Sequence, residues 1–242
     1  MTRNMSGKQR EPRFFFIHGA GGTARKWRRT TARLQGIPWQ TVDLPGHGEA
    51  RDAAAPDQVS IEWYAEALAS RIEEAVILVG HSMGGLISLE LAARTPNVVG
   101  VILAASHVRL PVHPKILDQL AQGTFPESLF LASYSKTVDP ELLAEERQEL
   151  AINPPEMTLA DFRSCDRYSQ GAERLRQLNI PVLAVYGAED RLLPPGAEAE
   201  LRSIRPDVQT AAIDGAGHYV MLEQPQAFVE AMLQFRESLF KA

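Results

Sequence analysis

An apolar strand that runs directly into a glycine-flanked serine constrains the fold of this chain more than any other feature. Residues 76–85 read Val-Ile-Leu-Val-Gly-His-Ser-Met-Gly-Gly, and an apolar helical pattern follows at Leu86, Leu89, Leu91 and Ala92. A Gly-x-Ser-x-Gly sequence between a buried strand and a helix is typical of a sharp turn that exposes the serine hydroxyl. Gly80 and Gly84 lack the Cβ atoms that would collide where strand and helix meet.

This local pattern predicts that Ser82 is a nucleophile. The Met83 amide, at the start of the helix, is predicted to be one donor to the oxyanion that forms when a serine attacks a carbonyl. The alternative is that Ser82 only caps the helix that follows it.

Composition is typical of one globular α/β domain. The chain has 242 residues, of which 45% are hydrophobic and 23% charged, and its net charge of −5 argues against nucleic-acid binding. The single cysteine, Cys165, cannot form an intramolecular disulfide and is expected to be a small buried residue in a helix. Residues 1–12 are expected to be a flexible leader without secretory character. We also expect no membrane-spanning segment and a cytoplasmic location.

Short apolar runs alternate with longer amphipathic ones, which predicts an α/β fold with a mostly parallel sheet of about six or seven strands and helices on both faces. The predicted strands are residues 13–17, 39–43, 75–80, 99–104, 182–187 and 209–213. The predicted helices are residues 24–34, 61–73, 83–94 and 225–239. In such a sheet, functional residues are expected at the carboxyl ends of the strands.

The alternation stops between residues 107 and 179, where helical segments and prolines occur without a convincing strand. We expect this segment to be an inserted helical cap over the active site, and residues 13–106 and 180–242 to form the core. Most of its bulky residues are expected to pack inside the cap and a minority to line a pocket: Phe125, Phe130, Leu131, Tyr134, Phe162 and Tyr168.

A serine nucleophile needs a general base, for which histidine is suited near neutral pH. His218 ends a flexible Gly-Ala-Gly-His loop after the last predicted strand, so it is the candidate base. His18 and His47 lie in glycine-containing turns and are expected to be structural. His81 is expected to point away from the site, while His107 and His113 begin the cap.

The base in turn needs a carboxylate that orients its ring. Asp190 follows the fifth predicted strand and is the candidate, which gives the chain order serine, aspartate, histidine. Glu189 is the alternative, and Asp214 is expected to cap its own loop.

Five segments together resemble the α/β-hydrolase fold serine hydrolases, specifically the small capped carboxylesterases: His-Gly-Ala-Gly-Gly at 18–22, Asp-Leu-Pro-Gly-His-Gly at 43–48, Gly-His-Ser-Met-Gly at 80–84, Gly-Ala-Glu-Asp at 187–190, and Gly-His at 217–218. The resemblance implies that the second oxyanion donor is the amide of Ala20, facing that of Met83. It also implies a β-hairpin before the first parallel strand. Too few residues precede Arg13 for that hairpin, so a shortened sheet is expected.

These features predict a serine hydrolase that cleaves carboxylic esters of short to medium acyl chain through an acyl-enzyme, with no cofactor and no metal. Its partner is expected to be a small-molecule ester, without nucleic acid or membrane, and the protein a monomer or small homo-oligomer. A carbon–carbon bond hydrolase or lyase on the same fold remains an alternative, as does a ligand receptor with a hydrolase pocket.

The first predicted helix carries a cluster of basic residues: Arg25, Lys26, Arg28, Arg29 and Arg33. This cluster is expected to be a solvated surface. Steering of an anionic substrate is the alternative, because the helix begins beside the His-Gly turn.

Overall fold

A parallel β-sheet forms the centre of the computed structural model, which describes residues 11–240. Within these residues, six strands pair in the order β2-β1-β3-β4-β5-β6, and every neighbouring pair is parallel. The strands are β1 (Arg13–Ile17), β2 (Trp39–Val42), β3 (Val76–His81), β4 (Val98–Ala104), β5 (Val182–Gly187) and β6 (Gln209–Ile213). The predicted fold class is confirmed. Apart from Glu11 and Pro12, the predicted leader lies outside the described residues.

Helices cover the sheet and occupy the long insertion. They are α1 (Arg28–Thr31), α2 (Ile61–Ala69), α3 (Met83–Ala92), α4 (Pro114–Ala121), α5 (Glu127–Ala132), α6 (Pro140–Glu149), α7 (Pro155–Arg167), α8 (Gly171–Gln177), α9 (Ala197–Ile204), α10 (Val220–Glu223) and α11 (Pro225–Ser238). Short 3₁₀ helices span Ala24–Trp27 and Gly48–Ala53. No helix within residues 11–240 has the length and apolar character needed to cross a bilayer.

The helix predicted at residues 24–34 is instead a 3₁₀ helix followed by the single turn α1. Two helices near the end of the chain, α9 and α10, were not predicted. Helix α9 begins after Pro-Pro-Gly, and Gly196 adopts a left-handed conformation with φ of 75°. Proline and glycine at this point are typical of a turn, so the sequence did not indicate the helix of eight residues that follows.

Alternate side chains of each strand build two cores, one on each face of the sheet. Phe15 and Ile17 of β1 face a core with residues of α2, α3 and α8, whereas Phe14 and Phe16 face a core with residues of α11. All four of these side chains are fully buried. The period-2 alternation therefore explains why nearly every residue of a central parallel strand is apolar.

Five helices, α4 to α8, lie between β4 and β5, in the region where a helical insertion was predicted. Three of them begin with a proline. Proline is tolerated in the first turn because the amide hydrogen that it lacks would have no partner within the helix there. The three prolines are Pro114 of α4, Pro140 of α6 and Pro155 of α7. The prolines that interrupt the sequence pattern thus begin helices.

An ion cluster fastens this insertion to the first helical turn of the core. Glu146 of α6 is fully buried and bonds to Lys26, to Arg28 Nη1 at 2.9 Å and to the Tyr134 hydroxyl at 3.3 Å. Arg25 Nε adds a 2.7 Å bond to Glu149. The prediction of a solvated basic surface is therefore wrong for Lys26, which is only 4% exposed, whereas the Arg25 side chain is 67% exposed. Acidic side chains of α6 pair with four of the five cations that were considered for substrate steering: Arg25, Lys26, Arg28 and Arg29.

Substitution of Glu146 by glutamine tests this cluster. The change leaves Lys26 buried without a carboxylate, and breaking a buried pair in this way costs about 3 kcal/mol or more. We expect a lower free energy of unfolding in urea titrations. Glu127→Gln removes the exposed partner of Arg147 and is the matched control, for which the urea midpoint should barely move. Equal midpoints for the two variants would contradict the structural role of Glu146.

Candidate active site

Ser82 lies at the turn between β3 and α3 in a strained backbone conformation. Its φ of 51° and ψ of −116° place a non-glycine residue in a region that L-amino acids rarely adopt. A Cβ at Gly80 would lie 2.5 Å from the Gly85 nitrogen, and one at Gly84 would lie 2.7 Å from the His18 oxygen. The glycines are therefore required by the close approach of strand and helix, as predicted.

A second serine supports this turn and was missed by sequence reasoning. The Ser106 hydroxyl donates a 2.6 Å hydrogen bond to the Ser82 carbonyl, which also accepts from the Gly85 amide at 2.9 Å. Ser106 follows Ala105, whose φ of 46° is also positive, and its side chain is fully buried. Two donors thus hold the strained peptide group of Ser82, and only the fold brings the second of them close.

Ser82 faces an apolar cavity of about 130 Å³ between the strand ends and the insertion. Core residues contribute Ala20, His81, Leu192, His218 and Tyr219 to its wall. The insertion contributes mainly Leu110, Pro111, Val112, Ile116, Phe125, Leu129, Phe162 and Cys165. Of the bulky insertion residues singled out in the sequence, Phe125 and Phe162 line the cavity. Cys165 is buried in α7, as expected.

His218 and Asp190 are joined by a hydrogen bond of 2.9 Å between Nδ1 and Oδ2. Both side chains are almost fully buried, at 7% and 3% exposure. The other carboxylate oxygen of Asp190 accepts the amides of Leu192 and Leu193 at 2.8 and 3.3 Å. Burial opposes ionisation, but the His218 ring and these two amides outweigh it and lower the pKa of Asp190 below its ordinary value. The carboxylate is therefore charged and fixes the orientation of the imidazole.

Among the described residues, no hydrogen bond joins the Ser82 hydroxyl to His218, although both side chains line the same cavity. In enzymes without bound substrate such bonds are commonly long and tighten when the substrate binds. Glu189, the alternative carboxylate, is engaged elsewhere: its Oε2 accepts the Lys136 amide at 3.0 Å.

Two of the other histidines, His18 and His81, form hydrogen bonds with backbone groups. His18 is buried, accepts the Leu44 amide at Nε2 over 3.0 Å and donates from Nδ1 to the Gly19 carbonyl over 2.8 Å. Burial and the neighbouring His47 lower the pKa of His18 to about 3, so it is neutral. His81 donates to the His218 carbonyl at 3.0 Å and stacks on Tyr219. It therefore lies at the cavity wall, against the backbone of the candidate base, and the expectation that it points away from the site is wrong.

The loop of His218 is held by residues that no local pattern revealed. The His218 amide donates to the Ser133 carbonyl at 2.8 Å, so the end of α5 positions its backbone. Glu223 accepts the Gly217 amide through Oε1 at 2.9 Å and the Ser135 amide through Oε2 at 2.8 Å. One carboxylate thus links the histidine loop to the insertion, which fixes a loop that its glycines alone would leave flexible.

Comparison with known proteins agrees with this arrangement. Residues 14–231 match the sequence model of the alpha/beta hydrolase family. The chain belongs to this family. A solved structure of a thermophilic esterase is 27% identical and superposes with a TM-score of 0.79 over 95% of this chain and 91% of the other.

Similar curated proteins include an esterase and a biotin biosynthesis protein. A pimeloyl-acyl-carrier-protein methyl ester esterase of Neisseria meningitidis is 29% identical over 247 residues, which cover 93% of each chain. A bifunctional biotin biosynthesis protein of Cellvibrio japonicus is 28% identical over 260 residues, which cover 96% of this chain and 49% of that longer protein. This α/β-hydrolase is therefore an enzyme of the esterase type.

The hydrogen bond from His218 predicts how the three nearby carboxylates differ. Asp190→Asn keeps the shape but presents the wrong partner to Nδ1, and kcat is expected to fall by about 10⁴-fold, as for other serine hydrolases. Glu189→Gln and Asp214→Asn should stay within about tenfold of the original rate because neither orients the imidazole. Steady-state kinetics on one ester would measure all three. A larger loss for Glu189→Gln than for Asp190→Asn would reassign the carboxylate.

Proposed function

We propose that this α/β-hydrolase is a serine esterase in which Ser82 is the nucleophile, His218 the general base and Asp190 the residue that orients the base. The supporting observation is that the bonded pair His218–Asp190 and the strained Ser82 meet at one cavity. The order of these residues along the chain is the one used by α/β-hydrolases. The cavity is apolar, as a site for an acyl chain requires.

The proposed reaction has two steps. Ser82 Oγ attacks the ester carbonyl carbon while His218 Nε2 accepts the serine proton, and the C–O bond then breaks as that proton is passed to the leaving alcohol. Water next attacks the acyl-enzyme, gives its proton to His218, and releases the carboxylic acid as Ser82 recovers its hydrogen. Asp190 stabilises the imidazolium that exists during each step. No cofactor or metal is needed to balance this chemistry.

The Ala20 and Met83 amides are the proposed oxyanion donors. Met83 is the first residue of α3, where an amide hydrogen has no partner within the helix. The Ala20 amide donates no hydrogen bond to any residue within 11–240, and Ala20 borders the cavity. Each donor aimed at the developing oxyanion lowers the barrier by about 3 kcal/mol.

The size of the cavity supports a short to medium acyl chain. Its volume of about 130 Å³ is close to that of the roughly 150 Å³ apolar cavities that take up a benzene molecule. Five helices of the insertion, at residues 107–179, form the proposed cap that closes this space. The relatives named as methyl ester esterases of a carrier-bound pimeloyl chain act on an ester whose leaving group is a small alcohol. Methyl and other small esters are therefore the proposed substrates.

A series of p-nitrophenyl esters of increasing acyl length tests this function. Each methylene that fits should add about 0.8 kcal/mol to transition-state binding, so kcat/KM should rise and then fall once the cavity is full. Phe125 lines both the main cavity and a neighbouring one of about 70 Å³. Phe125→Ala should therefore move the optimum to longer chains while the rate on acetate esters is kept. Ser82→Ala should remove turnover and leave the melting temperature unchanged.

Three outcomes would contradict the proposal. Activity that keeps rising on long-chain triglyceride emulsions would indicate an opening lid instead of a closed cavity. Turnover of a ring-cleavage dienoate, without turnover of esters, would indicate a carbon–carbon bond hydrolase. Binding of esters without multiple turnover would favour a ligand receptor.

A further inference from the structure

A buried carboxylate of the insertion lies directly behind the turn that contains Ala20. Asp161, on α7, is fully buried and accepts three hydrogen bonds. The Gly21 amide and His47 Nε2 each donate to Oδ2 over 2.8 Å, and the Tyr64 hydroxyl donates to Oδ1 over 2.7 Å. Asp161 is therefore the point at which the insertion, the turn and helix α2 meet.

A second side chain of the insertion forms hydrogen bonds with the carbonyl groups of the same turn. Asn153 Nδ2 donates to the Gly21 carbonyl at 2.9 Å and to the Gly22 carbonyl at 2.7 Å. Asn153 Oδ1 accepts the Gly48 amide at 2.9 Å, which fixes the direction of the side-chain amide. Asn153 is 4% exposed, so water does not compete for these bonds.

These contacts leave one backbone amide of the turn without an acceptor among the described residues. The Gly22 amide donates to the Gly19 carbonyl at 3.1 Å and closes the turn around Ala20 and Gly21, whose φ is +63°. The Gly21 amide is held by Asp161. Of the amides at positions 20, 21 and 22, that of Ala20 alone has no acceptor within residues 11–240, which leaves it for a ligand in the cavity.

Asp161 and His47 also interact electrostatically. Hydrogen bonds to an ionised acceptor are roughly twice as strong as those between neutral groups. Burial opposes the charged form of His47, but Asp161 outweighs it and raises the pKa of His47 above its ordinary value. Asp161 Oδ2 thus bonds both His47 and the Gly21 amide in the protein interior.

We propose that Asp161 and Asn153 are positioning residues, which hold the peptide groups after Ala20 so that the Ala20 amide points at the oxyanion. The inference rests on the proposed function, in which Ala20 is an oxyanion donor. It adds that the insertion supplies part of the catalytic geometry. A Cβ at Gly21 would lie 2.9 Å from Thr158 Cγ2 of α7, so the turn and the insertion are in direct contact.

Two variants and a matched control test the proposal. Asn153→Asp keeps the side-chain size and the oxygen that accepts the Gly48 amide. It replaces the donor to the Gly21 and Gly22 carbonyls by a carboxylate oxygen, which repels them. Asp161→Ala removes the acceptor of the Gly21 amide. Loss of a whole oxyanion donor costs about 10²–10³ in kcat, so for a displaced donor we expect kcat to fall at least about tenfold with KM within about threefold. Tyr64→Phe removes the hydroxyl bonds to Oδ1 of Asp161 and to the Met157 sulfur, leaves the Gly21 amide bonded to Oδ2, and should keep the original kcat.

Affinity for a trifluoromethyl ketone gives a readout that stability alone would not change. Ser82 adds to this carbonyl to form an oxyanion, so its inhibition constant should rise by the factor by which kcat/KM falls in each variant. All rates are expressed per folded protein, measured by circular dichroism. If Asp161→Ala does not fold, the isosteric Asn153→Asp decides the outcome.

Two results would overturn the positioning role. One is that Asn153→Asp keeps the original kcat and the original affinity for the ketone. The other is that Tyr64→Phe loses as much kcat as Asp161→Ala. Ser82→Ala separates this result from failure of the proposed function. If that variant is inactive while Asn153→Asp and Asp161→Ala match the original enzyme, only the positioning inference fails. If Ser82→Ala keeps its activity, the esterase mechanism itself fails.

Discussion

The close contact between strand β3 and helix α3 is the constraint on which the rest of the site depends. Gly80 and Gly84 allow the two elements to touch, and the chain can then turn only through the strained conformation of Ser82. That turn directs the Met83 amide out of the helix start. Because Gly84 also packs on the carbonyl of His18, the same contact brings the end of β1, and with it Ala20, beside the serine. The proposed nucleophile and the proposed oxyanion donors are thus placed by one packing requirement.

The helical insertion is bound to two parts of the candidate site. It holds the histidine loop through the Ser133 carbonyl, and the turn of Ala20 through Asn153 and Asp161. Glu146 anchors it on the other side, against Lys26. An insertion so attached forms a wall of defined size over the cavity. Its proposed role in the esterase is to limit the length of the acyl chain and to hold the reacting groups in place.

Much of the fold was predictable because its signals are local. The strand–turn–helix of Ser82 and the chain order of Asp190 and His218 were visible as short motifs, and three strands were predicted with the observed bounds, including β1 and β5. The supporting contacts were not visible. Lys26 and Glu146 are 120 residues apart in sequence, and a row of basic residues has the same pattern whether it faces water or a buried carboxylate. Ser106 and Glu223 likewise act through backbone groups that only the tertiary fold brings near.

The central claim, that Ser82 carries the reaction as a covalent nucleophile, is tested most directly by mass spectrometry of the enzyme after treatment with a fluorophosphonate probe. Such probes react with a serine only when its hydroxyl is activated by a neighbouring base. The account predicts one adduct per chain, mapped to the peptide that contains Ser82, and strongly reduced labelling in His218→Ala. Labelling of another residue, or an unmodified Ser82 in an enzyme that still turns over esters, would contradict it.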